Sequence, residues 1–344
     1  MTPTLDAYLS SFCSEGGATK SHIANTIRAL AEAAVKVRLA TKEGALGAAF
    51  ADTRGSAHAT GDVQKDLDLF ADNLFLEAAR QAQLAFYASE ELDKAVTLAR
   101  GSRLAIAIDP LDGSSNIDAN VSIGTIFSLL PAAADVDRTF LQPGRSQLAA
   151  GFFIYGPQLA LALTLGDGAR IFVYSTSSGL FVEAYRSLAI PPKTQEFAVN
   201  ASNYRHWDEC VQLYLDDCVQ GTDGPRGKDY NMRWVASLVA EAYRILIRGG
   251  VFLYPGDARK GYRHGRLRLI YEANPIAMLV EQAGGGATDG ASRILDLAPN
   301  DLHQRTPFVF GSAREVESIT RYHLDPSAIG SRNPLFGKRG LLRA

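Results

Sequence analysis

A layered α/β fold in two packed subdomains is what this 344-residue chain predicts, on three observations. The length exceeds what one hydrophobic core ordinarily organises. The first hundred residues carry helical apolar periodicity, and a long strand-like tract at 147–185 follows them. After Pro191-Pro192 the pattern changes to helix, strand, strand, helix, so the subdomain boundary is placed there.

The elements follow in order. Residues 19–40 place Ile23, Ile27, Leu30, Ala34 and Val37 at spacings of three and four, with Arg28, Glu32 and Lys36 elsewhere on the wheel. That is an amphipathic helix. The Gly-, Ala-, Ser- and Thr-rich stretch 43–61 has weak periodicity, as functional loops do. A second helix is expected near 63–84, with Leu67, Phe70, Leu74 and Ala78 on its buried face and Asp62 just ahead of its first turn, where an aspartate suits the N-cap. Leu104-Ala-Ile-Ala-Ile108 reads as a buried strand. Gly-Pro and Gly-Asp-Gly punctuate 147–185 as in an antiparallel meander. Beyond the boundary the pattern predicts a helix at 233–248, strands at 251–254 and 267–271, and a capped helix from Asn274-Pro275 to Gly284, with Pro in the first helical position.

Composition excludes several classes. Lys and Arg number 35 against 37 acids, so no electrostatic case exists for nucleic acid or membrane binding. No apolar run approaches the roughly 20 residues that cross a bilayer, and the N-terminus lacks a secretion-signal layout. Cys13, Cys210 and Cys218 are odd in number and widely spaced, against a disulfide framework or a zinc site. Three free thiols in a reducing cytoplasm fit. The basic stretch 329–344 reads as a solvated tail.

The chemistry is concentrated in acids. Glu90 and Glu91 are adjacent, and Asp109 and Asp112 follow the 104–108 strand within Asp-Pro-Leu-Asp-Gly-Ser-Ser-Asn116. Four carboxylates so close repel one another and are costly to desolvate. A divalent cation offsets both costs, and all-oxygen donors suit Mg²⁺ or Mn²⁺. Gly113, with the hydroxyls and N–H groups of Ser114 and Ser115, would suit a phosphate oxygen. Metal and phosphate in one turn point to phosphate-ester chemistry.

At this point the chain resembles the class I fructose-1,6-bisphosphatases over roughly residues 15–325. The blocks that carry the resemblance are Thr60-Gly-Asp-Val-Gln-Lys-Asp-Leu-Asp68, Ser89-Glu-Glu91, the 108–118 block, Ser122-Ile-Gly-Thr-Ile-Phe127 and Leu141-Gln-Pro-Gly-Arg145. Gly249-Gly-Val-Phe-Leu-Tyr-Pro255, Leu267-Arg-Leu-Ile-Tyr-Glu-Ala-Asn-Pro275 and Gln282-Ala-Gly-Gly285 complete them. The inositol monophosphatase type is the nearest alternative, but its Trp-Asp-x-Ala-Gly motif is absent: Trp207-Asp208 continues Glu209-Cys210. A non-catalytic effector-binding relative is a further alternative, opposed by the intact carboxylates.

The resemblance implies the layered α/β/α/β/α sugar-phosphatase fold, with mixed and antiparallel sheets. It implies an N-terminal metal-binding subdomain over 1–190 and a sugar-phosphate-binding one over 191–328. Glu90, Glu91, Asp109, Asp112, Glu272 and the Leu111 carbonyl would hold two or three Mg²⁺, with Mn²⁺ as a substitute. Asp68 and Glu91 would orient and deprotonate the attacking water, and Asp62 would act from the mobile 43–61 loop. Asn200, Arg233, Tyr254, Arg266 and Arg268 would contact the sugar and the unreacting 6-phosphate, Arg233 in a neighbour's site, which makes a homotetramer the expected assembly. The reaction implied is hydrolysis of fructose 1,6-bisphosphate to fructose 6-phosphate, in gluconeogenesis or the Calvin cycle.

Three departures from the family pattern fall on the substrate side: Arg266 for a lysine, Trp234 for a tyrosine, and Asn200-Ala-Ser for Asn-Glu-Gly. They extend the expectation to sedoheptulose 1,7-bisphosphate as a second substrate. AMP control is left open, since Arg103, Leu104 and Gly16-Gly-Ala-Thr-Lys20 match the effector site loosely while Arg145 is compatible.

Overall fold

The computed structural model describes residues 3–14, 16–42 and 60–325, with side chains of 60–65 left aside. The glycine-rich stretch 43–59 and the basic tail therefore lie outside the described residues.

Three N-terminal helices come first: α1 (Leu5–Ser14), α2 (Ala18–Lys42) and α3 (Thr60–Gln81). They lie on an eight-stranded sheet of β1 (Phe86–Ser89), β2 (Val96–Thr97), β3 (Leu104–Asp112), β4 (Ile123–Pro131), β5 (Ala149–Tyr155), β6 (Leu159–Thr164), β7 (Ala169–Ser175) and β8 (Leu180–Tyr185). The order is β2-β1-β3-β4-β5-β6-β7-β8. From β3 to β8 every pair is antiparallel, so the expected meander is present. Between β4 and β5 lies the short helix α4 (Val136–Phe140).

The second half builds a five-stranded mixed sheet, ordered β10-β9-β11-β15-β13. Its strands are β9 (Glu196–Ala198), β10 (Asn231–Met232), β11 (Val251–Tyr254), β13 (Gly286–Thr288) and β15 (Phe308–Gly311); β12 (Leu267–Arg268) and β14 (Arg305–Thr306) form a separate pair. The helices are α5 (Glu209–Val219), α6 (Leu238–Arg248), α7 (Asn274–Gln282) and α8 (Ala313–Leu324).

Three apolar clusters separate the layers. Ile23, Ile27, Leu30, Val37, Leu67 and Phe75 pack α2 and α3 onto Ile106, Phe127 and Phe153. The other face of that sheet meets α6, α7 and the second sheet through Phe152, Ile171, Val239, Ile245, Ile276 and Phe310. Tyr214, Leu215, Val316 and Ile319 of α5 and α8 cover the far face of the second sheet. The resulting layers are α/β/α/β/α.

Several local expectations are corrected. Helix α3 begins at Thr60, so Asp62 lies within its first turn rather than ahead of it. Its buried face is Leu67, Ala71, Phe75 and Ala78, with Phe70 exposed, because the small alanines let the helix sit close on α2 and the sheet. The 233–248 helix begins only at Leu238: Ser237 caps it by accepting from the Ala240 N–H, and Ala236 takes a positive φ of 60°. The 267–271 strand ends at Arg268, where the chain winds into a π-helical turn, Leu269–Ala273, that runs directly into α7 without a side-chain cap.

Candidate active site

Strands β1 and β3 run parallel, with Ser89 opposite Ile108, and the Glu90 N–H donates to the Ile108 carbonyl at 3.0 Å. Parallel pairing puts both C-terminal ends at one edge, where sites in α/β sheets form. Glu90 and Glu91 therefore emerge beside Asp109 and Asp112. The β3–β4 register shifts between the two aspartates. Within that irregular segment the Leu111 N–H donates to Asp109 Oδ1 at 3.1 Å. The π-turn brings in Glu272, whose carboxylate accepts from the Arg268 N–H at 2.5 Å.

Asp109, Asp112 and Glu272 present oxygens within 4.8 Å of one another, and all three are buried. Burial, then the neighbouring acids, push the Asp109 and Glu272 carboxyls well above the usual carboxylate range. Burial also raises Asp112 to about 7, although the Val239 N–H donates to it at 3.2 Å. Among the described residues no ion pair compensates these three; the one nearby guanidinium, Arg268, pairs with Glu90. Clustered hard oxygens with no ion-pair partner of their own among the described residues fit a divalent cation, which would replace the protons the cluster otherwise favours.

Asp68 arrives from α3. Burial first, then Glu91 and Glu90, lift it to about 7, opposed by a hydrogen bond with Ser114. Its Oδ1 is buried without a hydrogen-bond partner. Glu91, largely exposed at the mouth, is raised by desolvation and by Glu90. Gly113 takes φ +75° and opens the short 3₁₀ turn Ser114–Asn116, a conformation that favours glycine. An acceptor poised near neutrality, a hydroxyl turn and a cation cradle thus adjoin at one edge.

The expected distal ligands divide. Asn200, Tyr254 and Arg266 line one pocket with Asn203, Trp207 and Asp257. There the Arg266 guanidinium lies over the Tyr262 ring at 4.7 Å. Arg268 adjoins the carboxylates instead, through Glu90. Arg233 sits exposed beyond β10, its Nε donating to Glu196 at 3.3 Å. Arg145 pairs with Asp296.

Two contacts join residues whose partners the sequence does not disclose. Asn116 Nδ2 donates to the Ala236 carbonyl at 2.8 Å, linking the Asp-Gly-Ser-Ser-Asn turn to the chain ahead of α6. Trp234 stacks against Phe252 and Tyr254, with centroids 5.9 and 6.2 Å away. Asn116 stands inside a recognisable block, but its partner lies 120 residues on.

Two family models cover the chain: the fructose-1-6-bisphosphatase N-terminal domain over residues 14–186 and its C-terminal domain over 190–324. The chain belongs to the fructose-1,6-bisphosphatase family. Among relatives, the class 1 fructose-1,6-bisphosphatase of Rhizobium meliloti (strain 1021) is 61% identical over 345 residues, covering 99% of each chain. A class 1 fructose-1,6-bisphosphatase of Methylorubrum extorquens is 51% identical over 93% of this chain and 92% of its own. The structure superposes on the holo form of Leishmania major fructose-1,6-bisphosphatase with TM-score 0.81 at 30% identity, over 94% of this chain and 99% of that one. Family membership accords with the two-domain α/β architecture. Among the described residues no helix is long and apolar enough to cross a membrane.

Proposed function

We propose that the protein hydrolyses the 1-phosphate ester of fructose 1,6-bisphosphate, releasing fructose 6-phosphate and inorganic phosphate in the cytoplasm. The observation that carries this reading is the buried Asp109–Asp112–Glu272 cluster beside Asp68 and the Gly113 turn. Phosphate monoesters are extremely slow to hydrolyse in water, so the site must concentrate charge and orient its reactants.

Glu90, Glu91, Asp109, Asp112, Glu272 and the Leu111 carbonyl would hold two or three Mg²⁺, or Mn²⁺, which when bound supply Lewis-acid charge to the phosphoryl group and its nucleophile. Asp68 is the proton acceptor: burial and the Glu91 and Glu90 charges raise its carboxyl to about 7 in the metal-free site, which makes it a stronger base than a free carboxylate. Glu91 lies close enough to raise it electrostatically and shares the task of orienting water. Gly113, Ser114 and Ser115 offer N–H and hydroxyl donors to the reacting phosphate. Asn200, Tyr254, Arg266 and Arg268 take the sugar and its phosphate, Arg268 from beside Glu90, with which it pairs, and Arg233 serves a neighbouring subunit of a homotetramer. Asp62 would assist from the first turn of α3. Residues 1–190 form the metal half and 191–328 the sugar-phosphate half.

The test is phosphate release from fructose 1,6-bisphosphate and from inositol 1-phosphate, with Mg²⁺ and with chelator. Turnover of the first, lost on chelation, is expected. Preference for inositol 1-phosphate would replace the reading.

A further inference from the structure

Arg233 is an exposed arginine held at one end only. Its backbone N–H donates to the Phe197 carbonyl at 2.7 Å, which fixes it to β9 just past the edge strand β10. Its Nε donates to Glu196 Oε1, and its two terminal nitrogens have no hydrogen-bond partner among the described residues. A guanidinium caught at Nε leaves its planar fork directed away from the anchor, the geometry that binds a phosphate with two hydrogen bonds.

The anchor is itself held by a graded line of charges. The second oxygen of Glu196 accepts from Arg244 Nη1 at 2.7 Å. Arg244 in turn grips Glu241 with Nε and Nη2 at 3.1 and 2.9 Å. Glu241 also accepts the Val235 N–H at 2.8 Å, tying down the segment that follows Arg233. Side-chain exposure rises outward: 0% for Glu241, 16% for Arg244, 24% for Glu196 and 55% for Arg233. A carboxylate buried as completely as Glu241 is costly unless fully paired. Here its two oxygens are committed to Arg244 and to the Val235 N–H, and Arg244's remaining terminal nitrogen reaches only Glu196.

We propose that Glu241, Arg244 and Glu196 are a positioning chain that pre-aims the Arg233 fork at a phosphate group outside its own subunit's sheet edge. The inference rests on the reading of Arg233 as a phosphate ligand and adds what holds it ready. Pre-orientation matters because an arginine left free loses substantial side-chain entropy when it binds. Asn116, bonded to the Ala236 carbonyl, fixes the other end of the same segment to the metal-side turn, so the arm is secured between the two halves.

The experiment is a double-mutant cycle on the full-length enzyme with fructose 1,6-bisphosphate, measuring KM, kcat and thermal midpoint for each variant. Arg233→Ala should raise KM about tenfold or more, since it removes the charge-assisted hydrogen bonds of the fork to the phosphate. Glu196→Gln should raise KM about three- to fivefold in the wild-type background, with a much smaller change in kcat, and add nothing in the Arg233→Ala background. Arg244→Lys, which keeps the charge but cannot span two carboxylates with one fork, should repeat the pattern. If Glu196→Gln raises KM equally with and without Arg233, or leaves it unchanged while Arg233→Ala raises it, the positioning chain is overturned. If Arg233→Ala itself leaves KM unchanged, the phosphate reading of Arg233 fails and takes this inference with it.

Discussion

Asp112 of β3 accepts a hydrogen bond from the backbone N–H of Val239, 127 residues later, at 3.2 Å. The donor belongs to the first turn of α6, whose positive dipole end favours the anionic carboxylate. One metal-side carboxylate is thereby oriented by the other half of the chain. Asparagine can still accept that hydrogen bond but brings no charge. Asp112→Asn should therefore abolish turnover and weaken Mg²⁺ binding, yet raise the thermal midpoint of the chelated protein at pH 8. Asp112→Ala, which orphans the Val239 N–H, should be the less stable of the two. A calorimetric melt of both variants with chelator checks the order.

The raised carboxyls make folding stability and metal binding depend on pH in a fixed direction. Asp112 stands at about 7 in the folded state, against about 3.9 for a free aspartate, so the folded chain binds more protons between those values. Its contribution is fully present below about pH 4 and is lost as the pH rises through about 7. Asp109 and Glu272 are shifted in the same direction. The chelated protein should lose this contribution across that window, whereas Mg²⁺ should stabilise more strongly as pH rises and should release protons on binding. Titration calorimetry at about pH 6.5, inside that window, in buffers of different ionisation enthalpy reads that release; a buffer-independent heat would contradict it.

Asp68, the proposed base, stands apart from the proposed metal cluster. It faces Glu91 and Ser114 and is not among the three clustered carboxylates. Asp68→Asn should cut kcat about 10²- to 10⁴-fold, the usual worth of a positioned base, with metal affinity almost intact. Near-normal kcat would show that the proton goes elsewhere.

Gly124 explains why Val239 comes so near. It pairs with Asp112 across β3 and β4, and a Cβ there would stand 2.3 Å from the Phe153 carbonyl oxygen and 2.8 Å from the Val239 methyls. Gly124→Ala must shift the β5 backbone at Phe153 as well as the Val239 side chain, straining the packing that holds the Asp112–Val239 bond. We expect a stability loss of about 1–3 kcal/mol, the range for overpacking, together with weaker Mg²⁺ binding. Denaturant unfolding with and without Mg²⁺ measures both.

What the sequence discloses follows from how local each signal is. Leu104–Ile108 reads as a buried strand because its apolar run is continuous, and all nine residues of β3 are buried. The sequence misplaces the α3 face because Phe70 and Leu74 outrank Ala71 in hydrophobicity, whereas close helix packing selects Ala71 and Phe75. Leu267-Arg-Leu-Ile-Tyr271 alternates like a strand, and only its tertiary surroundings turn it into the π-turn that delivers Glu272. The acids of the metal cluster are legible as residues. Their closure by Val239, and the Asn116–Ala236 tie, join positions more than a hundred residues apart and leave no periodic trace.

The last prediction concerns substrate range. Sedoheptulose 1,7-bisphosphate presents the same reacting end as the six-carbon sugar but moves its distal phosphate by one carbon. Arg266 is exposed at the rim of the pocket shared with Asn200 and Tyr254, and its guanidinium lies over the Tyr262 ring. A planar fork on a long stem can follow a displaced phosphate and keep two hydrogen bonds, where an ammonium offers a point charge. The turn after Asn200, Ala201–His206, contains no acid, and its Ser202 hydroxyl donates to Asn200 Oδ1 at 2.6 Å, so no carboxylate opposes the phosphate from that turn. We expect hydrolysis of both sugars, the six-carbon one preferred. Discrimination is a difference of transition-state binding energies, so Arg266→Lys should lower kcat/KM for the seven-carbon substrate more than for the six-carbon one. Measuring kcat/KM on both sugars for the wild type and the variant decides it: no hydrolysis of the seven-carbon sugar, or an unchanged ratio in Arg266→Lys, would remove Arg266 as the source of the breadth.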